Sequence, residues 1–171
     1  MASIKLVPFG KIPQDILDAI FKELRKSMKM YSDITSTMEL PNEAYNPLRH
    51  QYVANTLMEV LEKKFFDRIL AITKEDIYSE DLNFIFGQAQ VKGKIALVSI
   101  ARLNPVFYSQ PNDQELLVRR AVKESIHEIG HLLGLAHCKT LGCVMNFSNT
   151  VINVDRKTKN FCTFCQLQLG I

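Results

Sequence analysis

The chain is poor in glycine and proline, with seven and six residues among 171, so a fibrous or low-complexity protein is excluded. It lacks any apolar run near the roughly 18 residues that a membrane-spanning helix needs. It also lacks a surplus of charge: 21 Lys and Arg stand against 18 Asp and Glu, scattered without a concentrated basic face, so nucleic acid is not an expected partner. The first residues, Met1-Ala-Ser-Ile-Lys-Leu-Val-Pro8, do not follow the pattern of a secretory leader and read as a first or edge strand. A cytoplasmic protein, off the membrane and most simply a monomer, is expected. What the chain does have is 47% apolar residues, and a single domain of this length buries roughly 70% of its unfolded-chain surface.

Apolar spacing predicts a helix over 13–29, through Ile16, Ala19, Ile20 and Leu24. A second is predicted from an Asn46 cap with Pro47 at the first helical position, running through Val53, Leu57, Val60 and Leu61 to Lys64. Strands are expected at 4–8, 68–73, 82–86 and 95–100, and their alternation with helices implies an α/β sheet with parallel pairing. A long third helix should begin near Asn112, with Glu115 completing a capping box, and end at Gly134. On it, Val118, Val122, Ile126, Ile129 and Leu133 form a core side, whereas Arg120, Glu124, His127 and His131 share another stripe. The pairs Lys63-Lys64 and Arg119-Arg120 read as solvated helix faces. Beyond Leu135 the sequence is irregular and is expected to form a small subdomain.

Within that third helix stands His127-Glu128-Ile-Gly-His131-Leu-Leu-Gly134-Leu-Ala-His137. Histidines four apart project from one helical face and can reach one metal ion, and the intervening glutamate is placed to reach a water on it. Gly134 can turn the chain so that His137 supplies a third nitrogen, leaving one zinc position open for water, which is a catalytic arrangement. Five such fixed residues would coincide in this composition with a probability on the order of five in a million. Three of the four histidines fall in the string; the fourth, His50, reads as an ordinary, partly exposed residue. Met145, eight residues after His137, fits the methionine turn that follows this extended metzincin string, and would support the ligands without binding the ion.

Cys138 and Cys143 form one short-spaced pair, and Cys162-x-x-Cys165 the other. Two such pairs separated by a loop suit a tetrahedral thiolate zinc site. Two disulfides would require an oxidising compartment, and a thioredoxin-like redox pair would require a βαβ setting for Cys162 that the sequence does not show.

With these residues the chain resembles archaemetzincin, a metzincin subfamily of zinc-dependent peptidases. The match comprises His127, Glu128, His131, Gly134, His137, Cys138, Cys143, Met145, Cys162 and Cys165, together with Asp76-Ile-Tyr78, Phe86-Gly87-Gln-Ala89 and Ser99-Ile-Ala-Arg102-Leu103. The resemblance implies an α/β (α+β), metzincin-like fold: a twisted, mixed five-stranded sheet with two backing helices and the active-site helix in an upper subdomain, residues 1–134. Residues 135–171 would be the lower subdomain, with a structural zinc at the four cysteines.

Two zinc ions, one catalytic and one structural, are therefore expected, with peptides or unfolded segments as substrates. Glu128 would act as general base and then return the proton to the departing amine. An extended peptide would add to a sheet edge, for which the 95–99 strand is the expected candidate. Some metzincins carry a tyrosine two residues after the turn methionine; here that residue is Phe147. A zinc- or peptide-binding module with little or no turnover is the alternative from another class, and a thiol-based redox or regulatory protein a third. An intact Glu128 favours the enzyme.

Overall fold

The computed structural model describes residues 3–171, and its layering begins with alternation along one strand. In β1 (Ser3–Phe9), Ile4 and Leu6 enter one apolar cluster while Val7 and Phe9 enter a second. Successive strand side chains point to opposite faces, so both faces of this sheet are covered. After β1 come α1 (Gln14–Met28), β2 (Tyr31–Ile34), β3 (Tyr45–Asn46), β4 (Gln51–Val53), α2 (Ala54–Lys64), β5 (Ile69–Thr73) and β6 (Ile77–Tyr78). Then follow β7 (Gly87–Ala89), β8 (Ile95–Ser99), α3 (Gln114–Leu132), α4 (Val151–Arg156) and α5 (Thr163–Leu169).

The main sheet has the order β2-β1-β5-β8-β7. Its first four strands are parallel and β7 runs antiparallel at the edge. Every residue of β5 and β8 is buried, as expected for strands covered on both sides. Helices α1 and α3 lie on one face, through Ile16, Ile20 and Leu24 and through Ala121, Ile126 and Ile129. Helix α2 lies on the other, through Ala54, Leu57 and Leu61. Strands β3, β4 and β6 form a separate small sheet. The tail beyond Leu135 does not build a core of its own: Val144, Met145, Val154 and Phe161 join the cluster beneath α1 and α3.

Several expectations from the sequence are corrected. Asn46-Pro47 opens a turn and not a helix, because the Asn46 side-chain oxygen accepts hydrogen bonds from the backbone of Leu48 and Arg49. That turn folds β3 back on β4, and α2 begins only at Ala54. The 82–86 segment is not a strand. Its Leu82 and Asn83 carbonyls are taken by the Arg49 and Gln51 side chains, and the ladder starts at Gly87. Strand β2 escaped prediction, since Tyr-Ser-Asp-Ile on an edge carries no apolar alternation. The cap of α3 is Asp113, whose carboxylate accepts from Leu116 N–H, one residue after the predicted Asn112. Gly134 does follow the end of α3, with φ of 104°. The irregular tail contains α4 and α5, and Cys162 is the residue that precedes α5. Arg120 is not solvated: its guanidinium is buried and forms a two-pronged pair with Asp155, at 2.8 and 2.7 Å. Among the described residues no helix is long and apolar enough to cross a membrane.

Candidate metal centres and the cleft

Two groups of side chains able to hold a metal ion converge, and they are the two the sequence singled out. His127 and His131 sit one turn apart on α3; Gly134 reverses the chain, and His137 comes back beside them. The three imidazoles each offer a nitrogen within 4.8 Å of the others, and their ring centroids are 4.7–5.3 Å apart. Backbone carbonyls fix two of the rings: Nδ1 of His127 is 2.8 Å from the Val144 oxygen, and Nδ1 of His131 is 2.8 Å from the Leu135 oxygen. A carbonyl can only accept, so both Nδ1 atoms carry the proton and both Nε2 atoms present lone pairs. Those Nε2 atoms face each other at 3.1 Å. Two lone pairs so placed repel unless a cation lies between them, and a tetrahedral zinc with Zn–N of about 2.0 Å needs N–N edges of about 3.3 Å.

Burial, with the nearby Lys157 charge, pushes His127 down to about 2, and burial lowers His131 and His137 as well. All three are thus neutral at pH 7, the form in which an imidazole can bind a metal ion. Glu128, buried between them in sequence, is raised well above the ordinary carboxylate range, first by burial and then by the Glu124 charge. A glutamate whose charged form is disfavoured by its surroundings is a ready proton acceptor once a cation stands beside it.

The second group is Cys138, Cys143, Cys162 and Cys165, all free, with sulfurs within 4.8 Å of one another. The Cys138–Cys162 and Cys143–Cys165 sulfurs are 3.7 and 3.8 Å apart. A disulfide needs about 2.05 Å, whereas a tetrahedral zinc with Zn–S of about 2.3 Å needs S–S edges of about 3.8 Å. The Cys162 thiol is drawn down to about 6, chiefly by the backbone N–H of Cys165, while burial pushes Cys143 and Cys165 up.

Met145 is fully buried. Its sulfur sits directly on Gly130 of α3, so close that a Cβ at that position would overlap it. The backbone of Cys138 joins the two groups: its N–H donates to the Met145 carbonyl at 2.9 Å, and its carbonyl accepts from the Asn146 side chain at 2.7 Å. His50 is remote and exposed, its ring 3.3 Å from the Tyr45 hydroxyl.

The histidines line a cleft of about 600 Å³ together with residues 79–89 and with Phe147, Ser148 and Asn149. Phe147 is exposed, and its ring centroid is 5.1 Å from that of His137. The sheet edge at this cleft is β7, whereas β8, the expected edge, is enclosed between β5 and β7. A crossover connection runs between β5 and β8, which period-two patterning alone does not reveal.

Three residues of the site were given no role by the sequence. Gly87 is pressed against Glu128. Glu124 lines the cleft one turn before Glu128, and Lys157 forms a buried ion pair with it at 2.8 Å. Glu124 fell on the histidine stripe, which was a usable signal; a lone lysine far along the tail gave none.

A histidine triad with an adjoining buried glutamate, lining an open cleft on a mixed α/β fold, is an arrangement suited to a metallohydrolase. The chain matches the profile of peptidase family M54 over residues 1–170. It is 41% identical over 166 residues to the archaemetzincin of Methanocaldococcus jannaschii, covering 97% of this chain and 92% of that one. The crystal structure of archaemetzincin from Methanopyrus kandleri superimposes with a TM-score of 0.87 at 39% identity, covering 99% of this chain and 93% of that one. That of a zinc-dependent peptidase from Methanocorpusculum labreanum gives 0.89 at 32% identity, with 97% and 99% covered. The chain belongs to peptidase family M54, the archaemetzincins, and is a metallopeptidase.

Proposed function

We propose that this chain hydrolyses peptide bonds at the three-histidine site, with His127, His131 and His137 holding a catalytic zinc and Glu128 as the catalytic base. The observation that carries this reading is the pair of lone-pair-bearing Nε2 atoms 3.1 Å apart, with the buried Glu128 carboxylate in the same cleft. When bound, zinc supplies Lewis acidity to a water molecule and to the peptide carbonyl. Glu128 accepts the proton that the attacking water gives up as its oxygen bonds to the carbonyl carbon. It then delivers that proton to the amide nitrogen as the C–N bond breaks, so the products are an amine and a carboxylic acid, which releases water's second proton to solvent or to the amine and becomes a carboxylate.

The substrate is a peptide or an unfolded protein segment, laid along the free edge of β7, whose backbone groups offer strand pairing. Residues 1–134 supply the upper wall and 135–171 the lower. Phe147 contributes an apolar surface beside His137 and no hydroxyl, so oxyanion stabilisation falls to the ion and to donors other than a tyrosine. The four cysteines hold a second zinc that has no open position, and its role is to fasten the tail.

Cleavage of a diverse peptide library by the zinc-loaded protein, read by mass spectrometry beside an equally loaded Glu128→Ala protein, tests this. Cleavage lost in the variant establishes the reaction. Two bound zinc ions with no cleavage by either protein would favour a peptide-binding module, and cleavage kept by the variant would remove Glu128 from its role.

A further inference from the structure

Among the described residues Lys157 is the one buried ammonium group near the histidines, and nothing in the proposed reaction uses it. Its side chain is 1% exposed, and the partnering Glu124 carboxylate is 3% exposed. Ionised groups are not buried this fully without a compensating arrangement. The arrangement here has three parts. The Lys157 Nζ is 2.8 Å from Glu124 Oε1, 3.3 Å from the Asn146 carbonyl oxygen, and 3.4 Å from Nδ1 of His127. Since that Nδ1 gives its proton to the Val144 carbonyl, the last approach is a close packing of two donors and not a hydrogen bond. The ammonium therefore stands against the edge of the His127 ring while gripping the helix on one side and the 144–147 turn on the other.

We propose that Lys157 is a positioning residue for the metal ligand His127: by tying Glu124 of α3 to the Asn146 carbonyl, it fixes the turn whose Val144 oxygen orients the imidazole. This rests on the three histidines holding a metal ion, as proposed above. The same turn continues into Phe147, which lies against His137, so the tie reaches a second ligand through the chain.

A neighbouring ion pair provides the comparison. Arg120 and Asp155 join the same helix to the same tail, and Arg120 also donates to the Leu103 carbonyl at 2.8 Å, without touching a histidine or the 144–147 turn. A pair that merely latches the tail should behave like Arg120–Asp155; a pair that orients His127 should not.

The test uses the full chain, its cysteine site loaded, and measures zinc affinity at the histidine site together with the visible spectrum of the cobalt-substituted protein. Removing both charges in Lys157→Met/Glu124→Gln leaves no buried charge unpaired, so the protein should fold with at most the loss of thermal stability shown by Arg120→Met/Asp155→Asn. Zinc affinity should nevertheless stay at least about tenfold weaker, as for other lost partners behind a metal ligand, with an altered cobalt spectrum. Arg120→Met/Asp155→Asn should lower thermal stability and leave affinity and spectrum alone. The proposal is overturned if the first double variant binds zinc and shows the cobalt spectrum of the unaltered protein, if it fails to fold, or if the second weakens zinc equally. Failure of the unaltered protein to bind zinc at the histidines would instead remove the metal reading itself.

Discussion

Gly87 of β7 rests against the carboxylate of Glu128: a Cβ at that glycine would fall 2.7 Å from both Cγ and Oε1 of the glutamate. The same Cβ would lie 2.8 Å from the Leu97 carbonyl of β8, so it could not move aside without disturbing the ladder. Only a residue without a side chain allows the edge strand and the base to share this space. Gly87→Ala should retain zinc while kcat/KM falls on the order of 100-fold, the scale on which small misplacements of a reacting group act. Zinc content by mass spectrometry with peptide turnover checks this, and turnover within a few-fold of the unaltered protein would show that Glu128 tolerates displacement.

Gly130→Ala should destabilise the protein even though alanine is favoured over glycine in a helix by about 1 kcal/mol. The new methyl would overlap the Met145 sulfur and stand 3.2 Å from the Phe161 ring, an overpacking that costs about 1–3 kcal/mol. The clash therefore prevails, and thermal unfolding should show a lower Tm. Met145→Leu, similar in volume, should cost less than about 1.5 kcal/mol and leave zinc bound, as expected for packing and not ligation.

Cys162→Ser should loosen the tail and weaken zinc at the histidines together. The link is the Cys138 backbone, which neighbours His137 and exchanges hydrogen bonds with Met145 and Asn146. Calorimetric zinc titration should show a loss of about tenfold or more at the histidine site alongside a reduced Tm. Unchanged values for both would separate the two centres.

Glu23 on α1 gives the fold a pH-dependent contact with the tail. Burial works against its charge, but hydrogen bonds from Lys159 and Ser27 and the Lys159 charge outweigh that and hold it below the usual carboxylate range. Its folded pKa is thus depressed, so its contribution is present above the unfolded-state value of about 4.3 and fades as pH falls through the folded one. Glu23→Gln should lower stability at pH 7, and the difference should shrink in acid. Urea unfolding at several pH values checks this; a difference that grew in acid would reverse the sign.

The side chains able to hold a metal ion are legible in the amino-acid sequence because their geometry is local. A helix brings residues four apart onto one face, a glycine turns the chain within three residues, and two short-spaced cysteine pairs can clamp a small ion. The same holds for α1, α3, β1, β5 and β8, whose apolar periods match their environments. Signals open to two local uses went astray: Asn46-Pro47 serves a turn as readily as a helix cap. The 82–86 run is apolar enough for a strand, yet its carbonyls are claimed by Arg49 and Gln51.

Sequence by itself determined the chemistry: which side chains could hold zinc, which carboxylate could move a proton, and that the fold alternates helices with strands. Tertiary structure decided which strand is the edge, that a glycine on that strand abuts Glu128, and that Arg120 and Lys157 are buried partners of Asp155 and Glu124. These contacts join residues up to 41 positions apart, as between Gly87 and Glu128. No period or propensity encodes them, because they arise only when the sheet order and the docking of the tail on α3 bring separate segments into one core.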